Sequence, residues 1–141
     1  MTVVDLNVLL YAINRDSKHH TRAKAWLDGA LNGDATVAFS WVVLLGFVRV
    51  ATNLRVMPAP LTAAQALDIV DEWLALPNVV VLSPGESHWT VLRSLLFEAG
   101  TAGNLSTDAH LAALTIEHDA ELCSTDADFA RFSHLRLANL L

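Results

Sequence analysis

The apolar positions change their period along the chain, and each change marks an element. Val3 and Val4 lead into Asp5 as a short strand over residues 2–5, after which Leu6, Leu9, Leu10 and Ile13 take the i, i+3, i+4, i+7 spacing of a helix over 6–13. Ser17 is placed to cap a second helix, Lys18 to Leu31, with Ala23, Trp26, Leu27, Ala30 and Leu31 on one face and Asn32-Gly33 as its stop. Thr36 to Phe39 is rich in strand formers, and Ser40 can cap an almost wholly apolar helix, Trp41 to Asn53, which must be buried or lie at an interface. Pro58 and Pro60 break the chain. Thr62 caps a helix over Ala63–Leu76, Pro77-Asn78 ends it, and Val79 to Leu82 reads as a strand.

Ser83-Pro84-Gly85 turns the chain into a helix from Glu86 to Ala99, which Gly100 stops. A small polar loop over Thr101–Thr107 leads to a helix that begins at Ser106 or Thr107 and ends at His118. Then follow a strand from Glu121 to Ser124, an aspartate-rich turn, a short helix around Ala127–Phe132 and a last strand near Leu135–Leu137. Strands alternating with helices predict an α/β fold whose mostly parallel sheet is covered on both faces. In such a sheet, strand C-termini and the helix N-termini that follow them share the edge where ligands bind.

Composition narrows this picture. The 141 residues suit one domain, 1–141, and the apolar fraction of 53% with 17% charged residues describes a packed chain. The longest uncharged stretch, Ala35 to Val48, falls short of the ~20 residues a spanning helix needs, so no membrane role is expected. No basic leader precedes Asp5, and a cytoplasmic location is the default expectation. Cys123, alone in an apolar run, reads as a buried structural thiol.

The acids are few and well placed. Asp5 ends the first strand, Asp108 opens a helix, and Asp126 and Asp128 follow a late strand. A parallel sheet gathers these positions on one edge, where carboxylates repel one another and a divalent cation relieves the repulsion. Mg²⁺ or Mn²⁺ prefers such oxygen ligands, can activate a water and can neutralise charge growing on phosphorus. Asp5, Asp108 and Asp126 are therefore the candidate metal ligands and catalytic acids, with Asp128 a fourth catalytic acid that either ligates or supports. Singly, Asp108 also suits a helix N-terminus, and Asp126 or Asp128 a cap. The net charge of −6 argues against unspecific attraction to a polyanion. A local basic window nevertheless holds Arg15, Lys18, Arg22 and Lys24, of which Arg15, Lys18 and Arg22 are candidate substrate contacts unless they form only a solvated helix face.

Three stretches together carry a resemblance: Val3-Val4-Asp5-Leu6-Asn7-Val8-Leu9-Leu10-Tyr11-Ala12, Gly103-Asn104-Leu105-Ser106-Thr107-Asp108-Ala109-His110-Leu111-Ala112-Ala113-Leu114, and Ser124-Thr125-Asp126-Ala127-Asp128-Phe129. In order, spacing and chain length they resemble the PIN-domain ribonucleases of the VapC toxin type. The resemblance implies a Rossmann-like three-layer α/β/α sandwich and a Mg²⁺- or Mn²⁺-dependent endoribonuclease acting as the toxin of a type II toxin-antitoxin system. It also implies homodimerisation, RNA as substrate and inhibition by a VapB-type antitoxin. By the same resemblance Asn7, Asn104 and Thr125 would orient ligands or water.

One position departs from that pattern. Proteins of this type usually have a glutamate in the apolar third helix, where this chain reads Val42-Val43-Leu44-Leu45-Gly46-Phe47-Val48-Arg49, and no acid occurs between Asp34 and Asp68. Glycine within a helix costs about 1 kcal/mol relative to alanine, so helix stability does not explain it. Gly46 is expected to weaken metal binding or turnover while sparing the fold. The alternative is an inactive PIN module that works by binding an antitoxin.

Other acid-rich sheet-edge proteins, the phosphotransfer receivers and haloacid-type phosphatases, need a lysine near the later strands, and Lys18 and Lys24 are too early. No Gly-rich phosphate loop is present. The six histidines lack the i, i+4 spacing of a helical metal pair, although His110, two residues past Asp108, is within reach of a substrate contact. Trp26, Trp41, Trp73 and Trp89 fall on predicted helices and suit core or interface packing.

Overall fold

The computed structural model describes residues 1–140, the side chain of Asn139 apart; Leu141 lies outside the described residues. Five parallel strands, β1 (Thr2–Val4), β2 (Val37–Ser40), β3 (Val79–Leu82), β4 (Glu121–Ser124) and β5 (Arg136–Asn139), form one sheet in the order β3-β2-β1-β4-β5. Six helices connect them: α1 (Leu6–Ile13), α2 (His20–Leu31), α3 (Trp41–Ala51), α4 (Ala63–Leu74), α5 (His88–Ala99) and α6 (Ser106–Glu117). The chain moves from β1 through β2 to β3 in one direction and then returns to add β4 and β5 on the other side. Right-handed crossovers put α1–α4 on one face and α5 and α6 on the other, which gives the three-layer α/β/α sandwich.

The three central strands, β1, β2 and β4, are nearly all core, whereas the edge strands β3 and β5 are only partly covered. Val3, Val4, Val37, Ala38, Phe39, Leu122 and Cys123 are buried, as parallel strands covered on both faces require. Phe39 stacks on Trp73 at 5.5 Å between ring centres, and Phe47 tilts against the same indole at 4.8 Å, tying β2, α3 and α4 together. Burial pushes the Cys123 thiol up to about 12, which removes it as a nucleophile.

Most caps fall where the sequence puts them. The Ser40 hydroxyl accepts from the Val43 N–H at 3.2 Å, and Thr62 and Gln65 form a reciprocal capping box at the start of α4. Gly100 closes α5 with φ 72°, a conformation that favours glycine. Several boundaries differ: β2 and β5 begin one residue later than the pattern places them, and α3 and α4 end two residues earlier. Asp5 leaves the strand and becomes the N-cap of α1. Helix α2 starts at His20, because the Ser17 hydroxyl accepts from His19 N–H and closes a separate turn ahead of the helix. Helix α5 starts at His88, and the expected polar loop contains a 3₁₀ turn, Gly103–Leu105, that runs straight into α6.

Helix α3 is not buried all round. Val43, Leu44, Gly46, Phe47 and Ala51 face the core, while Trp41 and Leu45, one turn apart, are 55% and 67% exposed.

Candidate acidic site

The strand order reverses direction between β1 and β4, and ligands of open parallel sheets bind beyond the strand C-termini at such a point. Asp5 directly follows β1 and Asp126 lies just past β4. Asp108 is in the first turn of α6, where the helix dipole favours a carboxylate. All three line one cavity of about 130 Å³ together with Leu6, Asn7, Val42, Val43, Thr107 and Leu111. That space admits several waters or a hydrated ion and is too small for a nucleotide.

Within the site, Asp108, Asp126 and Asp128 can each offer one oxygen with all three atoms within 4.8 Å of one another. Asp5 is 7% exposed, the most buried of the four acids, and is held differently. Its Oδ1 accepts from the Leu6 N–H at 2.8 Å, and its Oδ2 accepts from the Ser124 hydroxyl at 2.7 Å. The same Ser124 oxygen accepts the Asp126 N–H at 2.9 Å, and Asp126 Oδ1 accepts the Asp128 N–H at 2.9 Å. One buried serine therefore joins the loops after β1 and β4. Sequence reasoning missed it and named its neighbour Thr125 instead. The available signal was a hydroxyl two residues before an aspartate at a strand end, the spacing of a side-chain turn.

The electrostatics follow from crowding. Burial, then the neighbouring charges of Asp126, Asp5 and Asp128, raise Asp108 from 3.8 to about 6. Burial also raises Asp5, with Asp126 adding to it, against the lowering effect of the Ser124 and Leu6 hydrogen bonds. Among the described residues no lysine or arginine lines the cavity. The donor set is oxygen only, negatively charged and lacking an internal counterion, which fits a hard divalent cation such as Mg²⁺ or Mn²⁺.

The third helix contributes only apolar atoms. A Cβ built on Gly46 would lie 2.9 Å from Leu6 Cδ2, so the Leu6 side chain already occupies the space over Gly46. Gly46 therefore leaves no hole: Leu6, between the N-cap Asp5 and the cavity-lining Asn7, closes that wall.

The remaining sequence-named residues divide. Asn7 lines the acidic cavity, whereas Asn104 lines an adjoining one that also includes Asp128. Arg15 and Lys18 lie in the turn after α1 and Arg22 in the first turn of α2, and none lines either cavity. That turn is fixed to the far half of α1 by the His20 Nδ1 contact with the Tyr11 carbonyl at 2.9 Å, ~9 Å along the helix from Asp5. His110 sits on another side of α6 from Asp108. Its Nδ1 lies 2.8 Å from His88 Nε2, and His88 in turn pairs with Glu117, so these side chains clamp α5 to α6.

Comparison with known proteins agrees with the fold. The model of the PIN domain matches residues 2–135. Ribonuclease VapC37 of Mycobacterium tuberculosis is 48% identical over 136 residues, which is 96% of this chain and 94% of the relative. Ribonuclease VapC33 of the same organism is 45% identical, covering 96% and 95%. Among solved structures, VapBC2 from Rickettsia felis bound to a DNA fragment from its promoter superposes with a TM-score of 0.70 at 21% identity, over 98% of this chain and 97% of that one. Mycobacterium tuberculosis VapC20, described as a Sarcin-Ricin loop cleaving toxin, gives 0.67 at 18%, over 96% and 99%.

Proposed function

Because the chain belongs to the PIN-domain family, among the VapC ribonucleases, we propose that it is the toxin of a toxin-antitoxin pair, a single-domain Mg²⁺- or Mn²⁺-dependent endoribonuclease that acts in the cytoplasm. The observation that carries this reading is the convergence of Asp5, Asp108 and Asp126 at the β1/β4 switch point, with Asp128 beside them. Asp108, Asp126 and Asp128 would hold the cation from one side and Asp5 would face it from the floor of the cavity. A bound cation would supply an activated water and neutralise charge developing at the scissile phosphate.

The protein's own part is positional. Ser124 holds the Asp5 carboxylate with its hydroxyl while anchoring the Asp126 backbone, so two acids from separate strands keep one geometry. Asn7 and Thr107 border the cavity with polar side chains suited to orienting water. The apolar wall of Leu6, Val42, Val43 and Leu111 limits bulk water around the acids. Thr125, partly buried between Ser124 and Asp126, would steady the same turn.

Gly46 lowers cation affinity without emptying the site, since four aspartates remain. The exposed face of α3, Trp41 and Leu45, adjoins Val42 at the cavity rim and would seat an apolar partner: the VapB-type antitoxin or a second copy in a homodimer. Several solved relatives are such complexes, among them VapBC-1 from nontypeable Haemophilus influenzae. The test is incubation of a structured RNA pool with this chain in Mn²⁺ or in chelator. Cleavage in Mn²⁺ alone supports the reading. Cleavage unaffected by chelation overturns the metal dependence, and no cleavage together with tight antitoxin binding favours the binding-only module.

A further inference from the structure

A second cavity, of about 280 Å³, opens beside the acidic one and shares Asp128 with the acid cluster. Its walls are the loop Thr101, Ala102, Gly103, Asn104 and Leu105 on one side and Arg131 on the other. The two cavities differ in a way that suits a polymer. The acidic one fits an ion and a phosphate oxygen, whereas its neighbour approaches the ~300 Å³ lower bound of ordinary ligand pockets. An RNA whose phosphate lies over the acids must place an adjoining nucleotide somewhere within one backbone step. The second cavity adjoins the acids through Asp128, which lines it and belongs to their cluster.

Its chemistry is also right for a nucleotide. Among the described residues Arg131 is the one cation lining either cavity. It is exposed, and among the described residues its guanidinium forms no ion pair, meeting only the Ala99 carbonyl at 3.5 Å. An arginine left without a carboxylate, at the mouth of a cavity beside an acid cluster, has donors in a fork that matches phosphate. Asn104 adds an exposed amide able to meet a ribose hydroxyl or a base edge. Gly103 bends the loop with φ 52°, and small residues at 101–103 keep the entrance open.

We propose that this cavity seats the nucleotide flanking the scissile phosphate of single-stranded RNA, with Arg131 pairing to a backbone phosphate and Asn104 contacting the sugar or base. The inference rests on the nuclease reading, but binding tests it separately from cleavage. The experiment measures anisotropy of a labelled short oligoribonucleotide with the full chain carrying Asp5→Asn, so that nothing is cut, alone and combined with Arg131→Ala, Arg131→Lys or Ala102→Glu.

Arg131→Ala should weaken binding about 10-fold and reduce the slope of log affinity against log salt by ~0.7, one phosphate contact on a single strand. Arg131→Lys should restore the slope, because it restores the charge. Ala102→Glu, at an exposed position, should weaken binding with Arg131 intact, which guards against Arg131→Ala acting by loosening the Ala99 contact. Unchanged affinity and slope in both Arg131→Ala and Ala102→Glu overturns the assignment. Arg131-dependent binding by a parent chain that cuts no RNA in Mn²⁺ supports the cavity and refutes the catalytic reading.

Discussion

Asp108 is the residue whose ionisation most directly reports the site. Its pKa of about 6 in the folded chain lies above the ordinary 3.8. A raised carboxylate contributes stability that is fully present below about pH 4 and is lost as pH rises through about 6. From this group, the metal-free protein should gain stability as pH falls from 7 toward 5. Cation affinity should move the other way, weakening through pH 6 as protons compete for the carboxylate. Calorimetric Mn²⁺ titrations between pH 5 and 8 check this; affinity flat across that range contradicts it. Ser124 gives a second residue-scale prediction. Ser124→Ala leaves Asp5 Oδ2 and the Asp126 N–H without their buried partner and should cost about 1–3 kcal/mol in urea unfolding. The aspartates were legible because each stands at a strand end or in a helix first turn. Ser124 was only half legible: its turn with Asp126 has a local signature, but its bond to Asp5 joins residues 119 positions apart, which no local pattern encodes.

At the scale of elements, α3 is where sequence and structure inform each other most. Its apolar run was legible, but which face stays uncovered depends on how α1 and α4 pack, and the sequence does not carry that. The gap at Gly46 has a physical partner in Leu6, which the sequence alone could not pair with it. Alanine at 46 gains about 1 kcal/mol of helix propensity but pushes on Leu6. Gly46→Ala alone should therefore change stability by less than ~1 kcal/mol, while the same change in a Leu6→Ala background should stabilise by about 1. A double-mutant cycle should return coupling of at least about 0.5 kcal/mol; additive effects would contradict the pairing. Leu45→Lys, on the exposed face, should shift stability by no more than about 0.5 kcal/mol yet weaken antitoxin capture or dimerisation in sedimentation. Strands β3 and β4 were read to the residue because Pro77-Asn78, Ser83-Pro84 and the acidic turn punctuate them. The starts of α2 and α5 were not, since in each case a turn precedes the helix.

For the whole molecule, the parallel order β3-β2-β1-β4-β5 turns four scattered acids into one site, and this followed from the alternation of elements. The placement of positive charge did not. The basic window at residues 15–24 stands apart from both cavities, and the cation beside the acids is Arg131, in a segment that sequence patterning treated as a minor helix. With a net charge of −6 and one arginine at the site, RNA should be held mainly through the cation and a few contacts. The most direct measurement compares Mn²⁺-dependent cleavage of a structured RNA pool by this chain, by Asp5→Asn and by the double variant Leu6→Ala/Gly46→Glu, in which the glutamate has room. The account predicts that this chain cuts, that Asp5→Asn loses at least ~100-fold, and that the double variant binds Mn²⁺ more tightly. Equal cleavage by this chain and Asp5→Asn would contradict it.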